Sequence, residues 1–288
     1  MSTADFPTLS IGGDLPVHRL GFGAMHLTSG RAWGPPADRA AAVRLVREAV
    51  DRGVTFIDTA DSYGLGANEE LLAEALHPYP EGVVVATKAG QSRPAEDRWV
   101  PLGRPEYLRQ QAELSLRRLR RDTLDLFQLH RVDPHVPLEE QVGALADLRA
   151  AGKVRHIGLS EVGVGELTRA RAVVPIASVQ NLYHLGDRRH DDVLAACEAA
   201  GTAFVAWRPL PRDPRVRAAA AAVAAECGAT PTQVALAWLL NRSPVLLPIP
   251  GTRSLDHLVE NVGAAALTLT AGQRRRLDAA ADLAVPAA

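Results

Sequence analysis

Eight apolar runs, each followed by an amphipathic stretch, restrict what this chain can fold into more than any other feature. The runs are Arg19–Gly23, Val54–Asp58, Val83–Lys88, Thr123–His130, Val154–Ser160, Ala177–Asn181, Ala203–Trp207 and Val245–Ile249. They are rich in Val, Ile, Leu and Phe and show little polar alternation, as strands buried on both faces of a parallel sheet do. The helical stretches are Asp38–Arg52, Glu69–His77, Pro105–Arg120, Leu138–Ala151, Gly165–Val174, Asp191–Ala200, Pro231–Asn241 and Leu255–Gly263. Gly53, Gly152 and Gly201 stop three of them, Pro78 stops a fourth, and Pro105 suits a first helical turn. Such alternation means an α/β fold with helices outside a parallel sheet, and eight units predict a closed (β/α)8 TIM barrel. We expect one domain over residues 1–288.

Some segments lie outside the repeat. Thr8–Val17, with its Gly12-Gly13-Asp14 turn, reads as an N-terminal hairpin able to plug the barrel floor. Pro214–Cys227 reads as a helix inserted after strand seven, and Gln273–Ala281 as a final helix. The competing architecture is an open dinucleotide-binding sheet, which needs a Gly-rich turn leading directly into a helix. Gly21-Phe22-Gly23-Ala24-Met25-His26 begins that pattern but lacks the third Gly and runs into a long loop.

Charge says little about partners: 32 basic against 33 acidic residues leave a net −1, with no basic field for nucleic acid or an anionic membrane. The start lacks a signal-peptide pattern, and no apolar run approaches the roughly 18 residues of a membrane span. Cys197 and Cys227 form no close-spaced motif, so reduced thiols and a cytoplasmic location are expected. The split of the charge is more informative. Among the 32 basic residues only Lys88 and Lys153 are lysine. Arg cannot lose its proton near neutrality and Lys can, so these two positions are worth locating. Lys153 lies at a helix C-terminus, just past the Gly152 stop, where a cation suits the dipole, and needs no chemical role.

In a barrel, catalysis belongs at the C-terminal strand ends. Asp58 ends strand two with Tyr63 five residues later, Lys88 ends strand three, and His130 ends strand four. Ser160 ends strand five, Gln180-Asn181 end strand six, Trp207 ends strand seven, and strand eight runs into Pro250-Gly251-Thr252-Arg253. Singly, each polar residue could be a cap, a solvated strand end or a satisfied core group. Together, Asp, Tyr, Lys and His form a device. A lysine ammonium beside a tyrosine favours the phenolate and so lowers a pKa that normally lies near 10. A carboxylate keeps the lysine charged, and a neutral histidine can hold a carbonyl by hydrogen bonding. The set suits protonation of a carbonyl oxygen while hydride arrives at carbon.

These motifs resemble the aldo-keto reductase family along the whole chain. They are Gly53-Val54-Thr55-Phe56-Ile57-Asp58-Thr59-Ala60-Asp61-Ser62-Tyr63-Gly64, Val85-Ala86-Thr87-Lys88, Leu124–His130, Gly152–Ser160 and Pro248-Ile249-Pro250-Gly251-Thr252. The Gly64–Leu71 stretch and Trp33-Gly34-Pro35-Pro36 resemble its bacterial pyridoxal reductase-like branch. The resemblance implies a tetrad of Asp58, Tyr63, Lys88 and His130, with Tyr63 as general acid. It implies NADP(H) across the barrel mouth, near Gly23, Ala24 and Met25. Ser160, Glu161 and Gln180, with Asn181 as a further candidate, would lie at the nicotinamide carboxamide. Trp207 would stack on the nicotinamide ring, with Arg208, Pro209 and Leu210 following it. Pro250, Gly251, Thr252, Arg253 and Ser254, with His257, Glu260 and Asn261, would take the adenosine 2′-phosphate.

Three departures stand out. Glu161 replaces a common Asn, and an ionised carboxylate cannot donate to a carbonyl oxygen. His257 stands where a phosphate-pairing Arg is common, which leaves Arg253 to carry that charge. Arg208 would put a fixed cation near the pyrophosphate, an acidic substrate or solvent. His26, Trp33 and Trp99 are the substrate-loop candidates. The expected function is NADPH-dependent reduction of a small or aromatic aldehyde or ketone, pyridoxal-like among them. The alternatives are an NADPH-binding regulatory protein and a Schiff-base lyase using Lys88. A metal site at His130, Asp133 and His135 lacks any fixed ligand geometry, so no metal is expected. The sequence leaves the oligomeric state open.

Overall fold

The computed structural model describes residues 6–283, so the single-domain expectation for 1–288 runs past it at both ends. A two-stranded antiparallel hairpin, β1 (Thr8–Ile11) and β2 (Leu15–His18), comes first. Then come β3 (Phe22–Gly23), α1 (Arg39–Asp51), β4 (Phe56–Asp58), α2 (Ala67–Leu76) and β5 (Val84–Ala89). A second hairpin, β6 (Gln91–Ala95) and β7 (Arg98–Pro101), precedes α3 (Pro105–Leu119). The chain continues through β8 (Leu124–Leu129), α4 (Leu138–Ala150), β9 (Val154–Ser160), α5 (Val164–Arg171) and β10 (Ile176–Leu182). It ends with α6 (Asp191–Ala199), β11 (Ala203–Trp207), α7 (Pro214–Cys227), α8 (Pro231–Arg242), β12 (Leu246–Pro248), α9 (Leu255–Gly263) and α10 (Ala271–Asp282).

Eight strands form one parallel sheet in the order β3–β4–β5–β8–β9–β10–β11–β12. The edge strands meet through one-way bonds: Gly21 N–H donates to Pro248 O at 3.0 Å and Gly23 N–H to Pro250 O at 3.2 Å. Proline has no N–H to return, so this seam stays short of a regular ladder. Glycine permits the approach, because a Cβ at Gly23 would lie 2.7 Å from Ile249 O and one at Gly251 2.6 Å from Gly23 O.

The first hairpin plugs one end, as expected. Ile11, Leu15 and Val17 pack with Phe56, Val84, Ala177 and Ala203, all at or near strand starts. The opposite end, where the strands finish, is therefore the open mouth. Register sets the neighbours there. Lys88 lies beside Gln128, Ser160 beside Gln180, and Leu182 beside Trp207.

Local chemistry explains the element ends. Asp38 caps α1 through the Ala41 N–H, and Thr230 with Gln233 forms a capping box on α8. Thr270 with Gln273 does the same for α10, so that helix starts at Ala271, two residues before the expected Gln273. Helix α5 stops at Arg171, short of the expected Val174. The hairpin β6–β7 is absent from the sequence reading, because its short, mostly half-buried strands carry no apolar alternation.

Candidate active site

The backbone brings the four polar strand-end residues together. Asp58 is the last residue of β4, Lys88 lies in β5, and His130 directly follows β8. Tyr63 begins a short turn after β4 in which Gly64, Leu65 and Gly66 all have positive φ. Two main-chain bonds hold this turn in place. Asp61 N–H donates to Lys88 O at 3.0 Å, and Gly64 N–H to Ala32 O at 2.8 Å.

Lys88 is 0 %, Asp58 3 %, His130 5 % and Tyr63 7 % exposed. An ammonium has three hydrogens, and three acceptors surround this one. Lys88 Nζ donates to Asp58 Oδ1 at 2.6 Å, Thr59 O at 2.8 Å and the Tyr63 hydroxyl oxygen at 3.4 Å. The phenol thus accepts from Lys88, and its own hydrogen is left to point elsewhere. Asp58 Oδ2 accepts from Gln180 Nε2 at 2.7 Å and Gln128 Nε2 at 3.4 Å. Burial works against the lysine's charge, but Asp58 and Tyr63 outweigh it, so its pKa is raised. A lysine held charged in this way is a poor Schiff-base nucleophile.

Two electrostatic expectations meet the structure differently. Burial, with Lys88 and Arg131 nearby, holds the His130 pKa well below 6.5, so the imidazole is neutral as expected. Its Nδ1 lies 3.4 Å from Ser62 Oγ. For Tyr63 the net direction is opposite to the expectation. Lys88 does lower its pKa, but burial raises it more and Asp58 adds to the rise. In the protein alone, desolvation beats one cation at 3.4 Å.

The other candidates sort into three groups. At the β9–β10 ends, the Ser160 hydroxyl accepts from Arg131 Nη1 at 3.1 Å. Asn181 is spent on the fold: its amide accepts from Val162 N–H and donates to Val162 O. It is therefore unsuited to hold a carboxamide. Glu161 does not face outward to a ligand either. Its Oε1 accepts from Leu182 N–H at 2.6 Å and from Trp207 Nε1 at 2.5 Å. Arg208 is exposed, with its guanidinium carbon 5.6 Å from the Trp207 ring centroid; Pro209 is buried and Leu210 half-buried.

At the seam, Gly23, Pro250 and Gly251 close the barrel, and the buried Ala24 accepts Asn68 Nδ2 on its carbonyl. Met25 is exposed. Thr252 Oγ1 accepts from Ser254 N–H at 3.0 Å, and Ser254 caps α9 through the His257 N–H. Arg253 and His257 are exposed there, Glu260 is half-buried and Asn261 buried. His26 belongs to this side too: its ring lies against Gly251, and both Arg253 and Arg208 bear on its charge.

The other two substrate-loop candidates, Trp33 and Trp99, are tied together by a residue the sequence did not flag. Arg93 places its guanidinium carbon 3.5 Å from the Trp99 ring centroid and 5.3 Å from that of Trp33. It donates to the carbonyls of Ala32, Arg31 and Glu96. Trp99 in turn meets Tyr63 edge-on at 6.5 Å and His130 at 6.4 Å. Asp133, weighed as a metal ligand, accepts instead from the backbone N–H groups of Gly103 and His135. Among the described residues no helix is long and apolar enough to cross a membrane.

Known proteins resemble this chain. The model of the aldo/keto reductase family matches residues 19–282. An oxidoreductase of Schizosaccharomyces pombe is 43 % identical over 268 residues, covering 92 % of this chain and 87 % of its own. Pyridoxine 4-dehydrogenase of Escherichia coli is 41 % identical over 265 residues, covering 90 % and 93 %. Among solved structures, a Klebsiella pneumoniae aldo/keto reductase in complex with NADP and acetate superposes with TM-score 0.76 at 28 % identity, over 95 % of both chains. The family model spans the barrel and its mouth, and the chain belongs to the aldo/keto reductase family.

Proposed function

We propose that this protein reduces an aldehyde or ketone to the alcohol with NADPH, using Tyr63 as proton donor. The observation that carries the proposal is the buried Lys88, with all three hydrogens committed to Asp58, Thr59 and Tyr63. Bound NADPH supplies a hydride to the carbonyl carbon. Tyr63 delivers its free hydroxyl hydrogen to the oxygen. The Lys88 ammonium then stabilises the phenolate, and Asp58 keeps that ammonium in place. Neutral His130, with Nδ1 toward Ser62, offers Nε2 to the substrate oxygen.

The chain's own groups fit the cofactor. Ser160 receives a hydrogen bond from Arg131 and keeps its O–H for a carboxamide oxygen. Gln180 spends its NH2 on Asp58 and keeps its carbonyl for a carboxamide NH2. Arg208 and Arg253 are both exposed and both lower the His26 pKa, which leaves two cations on the His26 side of the mouth available to phosphates. Arg253 beside the α9 N-terminus would take the 2′-phosphate. The aromatic wall of Trp99, Tyr63 and His130 suits a planar carbonyl substrate, and a pyridoxal-like ring agrees with the Escherichia coli relative. We place the reaction in the cytoplasm, in keeping with two unpaired cysteines.

The test is loss of NADPH absorbance with a panel of aliphatic and aromatic aldehydes. Tyr63→Phe removes the proton donor and should cost roughly 10²–10⁴ in rate. Equal rates for the two proteins overturn the assignment, and cofactor binding without any turnover favours a regulatory role.

A further inference from the structure

We infer that Glu161 is a positioning residue that fixes the Trp207 indole for the nicotinamide half of the cofactor and does not itself touch the cofactor. The inference rests on the NADP(H) reading above. Glu161 has φ +55, in the left-handed region that side-chain-bearing residues rarely adopt. Strain of this kind persists only where surrounding contacts hold it. Here its N–H donates to Gln180 O at 3.0 Å. The bend sends the side chain across the end of β10 toward β11.

One carboxylate oxygen then joins two elements. Oε1 accepts the Leu182 N–H at 2.6 Å and the Trp207 indole N–H at 2.5 Å. Leu182 and Trp207 are register partners at the ends of β10 and β11. An indole has one hydrogen-bonding group, so a short charge-assisted bond there sets the ring's rotation. The second oxygen lies 3.9 Å from His190 Nε2, and Arg131 and Arg189 contribute positive charge nearby. The carboxylate is therefore compensated where it stands. Arg208, at φ +51, continues from Trp207 with its guanidinium beside the ring. The indole is thus held at its N–H by Glu161 and flanked by a cation.

The test compares two ligands that share the adenosine half. NADPH carries the nicotinamide, and adenosine 2′,5′-bisphosphate does not. Glu161→Leu should weaken NADPH about tenfold, the worth of one charge-assisted hydrogen bond, and leave the bisphosphate within about twofold. Glu161→Gln keeps an acceptor and covers the case in which the leucine variant fails to fold. The chain has four tryptophans, so its indole N–H spectrum has four signals, and Trp207→Phe identifies the relevant one. That signal should sit downfield in the parent protein and move upfield in Glu161→Gln. Equal loss of both ligands, an unchanged NADPH affinity in Glu161→Leu, or an unmoved indole signal in Glu161→Gln overturns the inference. If the parent protein binds neither ligand, it is the cofactor reading that falls.

Discussion

Asp61 sits two residues before Tyr63, 6 % exposed, with Oδ1 lacking a hydrogen-bond partner among the described residues. Burial is the main reason its pKa rises to about 8, and Glu69 pushes the same way; Arg118, the Ser62 N–H and the Tyr107 hydroxyl pull it back only in part. A carboxyl of this kind is protonated in the folded protein at neutral pH and ionised in the unfolded chain. Folding then takes up a proton between about pH 4 and pH 8, so stability falls as pH rises across that window and is flat outside it. The slope is about 1.4 kcal/mol per pH unit for one proton. Asp61→Asn keeps the shape and does not titrate. Urea unfolding of both proteins between about pH 5.5 and pH 7.5 should show the variant gaining roughly 2–3 kcal/mol relative to the parent across the range, because titrations away from this site cancel. Parallel stability profiles would refute the reasoning, since they would mean that Arg118 and the two hydrogen-bond donors hold Asp61 ionised despite its burial.

Two other perturbations follow from the geometry. Arg93→Met removes the cation from the Trp33–Trp99 pair and strips donors from three carbonyls. KM for an aromatic aldehyde should rise about tenfold while KM for a small aliphatic one changes little, and equal changes would detach Arg93 from the substrate wall. Gly23→Ala sets a methyl 2.7 Å from Ile249 O, so the seam backbone must move. A loss of roughly 1–3 kcal/mol in urea unfolding is expected, and an unchanged midpoint would show that the closure can relax freely.

Much of the fold was legible because strands and helices leave periodic traces. The eight apolar runs all became barrel strands, and glycine and proline stops marked the helix ends within a few residues. The second hairpin was not, since Gln91–Pro101 carries Arg93, Glu96, Asp97 and Arg98 without apolar alternation. Its strands pair through main chain, and the placing of Trp99 against Tyr63 and His130 is a matter of distant contacts. The thirty-residue separation of Asp58 and Lys88 illustrates the reverse case. Parallel strands in a barrel end at one mouth, so residue type at a strand end was enough to propose their meeting.

By itself, the sequence determined the parallel barrel, its N-terminal hairpin and the set Asp58, Tyr63, Lys88 and His130, because these follow from periodicity and from which residues finish strands or closely follow them. Only the tertiary structure decided how those groups are spent. Glu161 turns to Trp207, Asn181 turns back to Val162, Ser62 meets His130, and burial raises the Tyr63 pKa although Lys88 lies 3.4 Å away. Side-chain direction and desolvation depend on what packs around a residue, and those neighbours come from strands far apart in the chain.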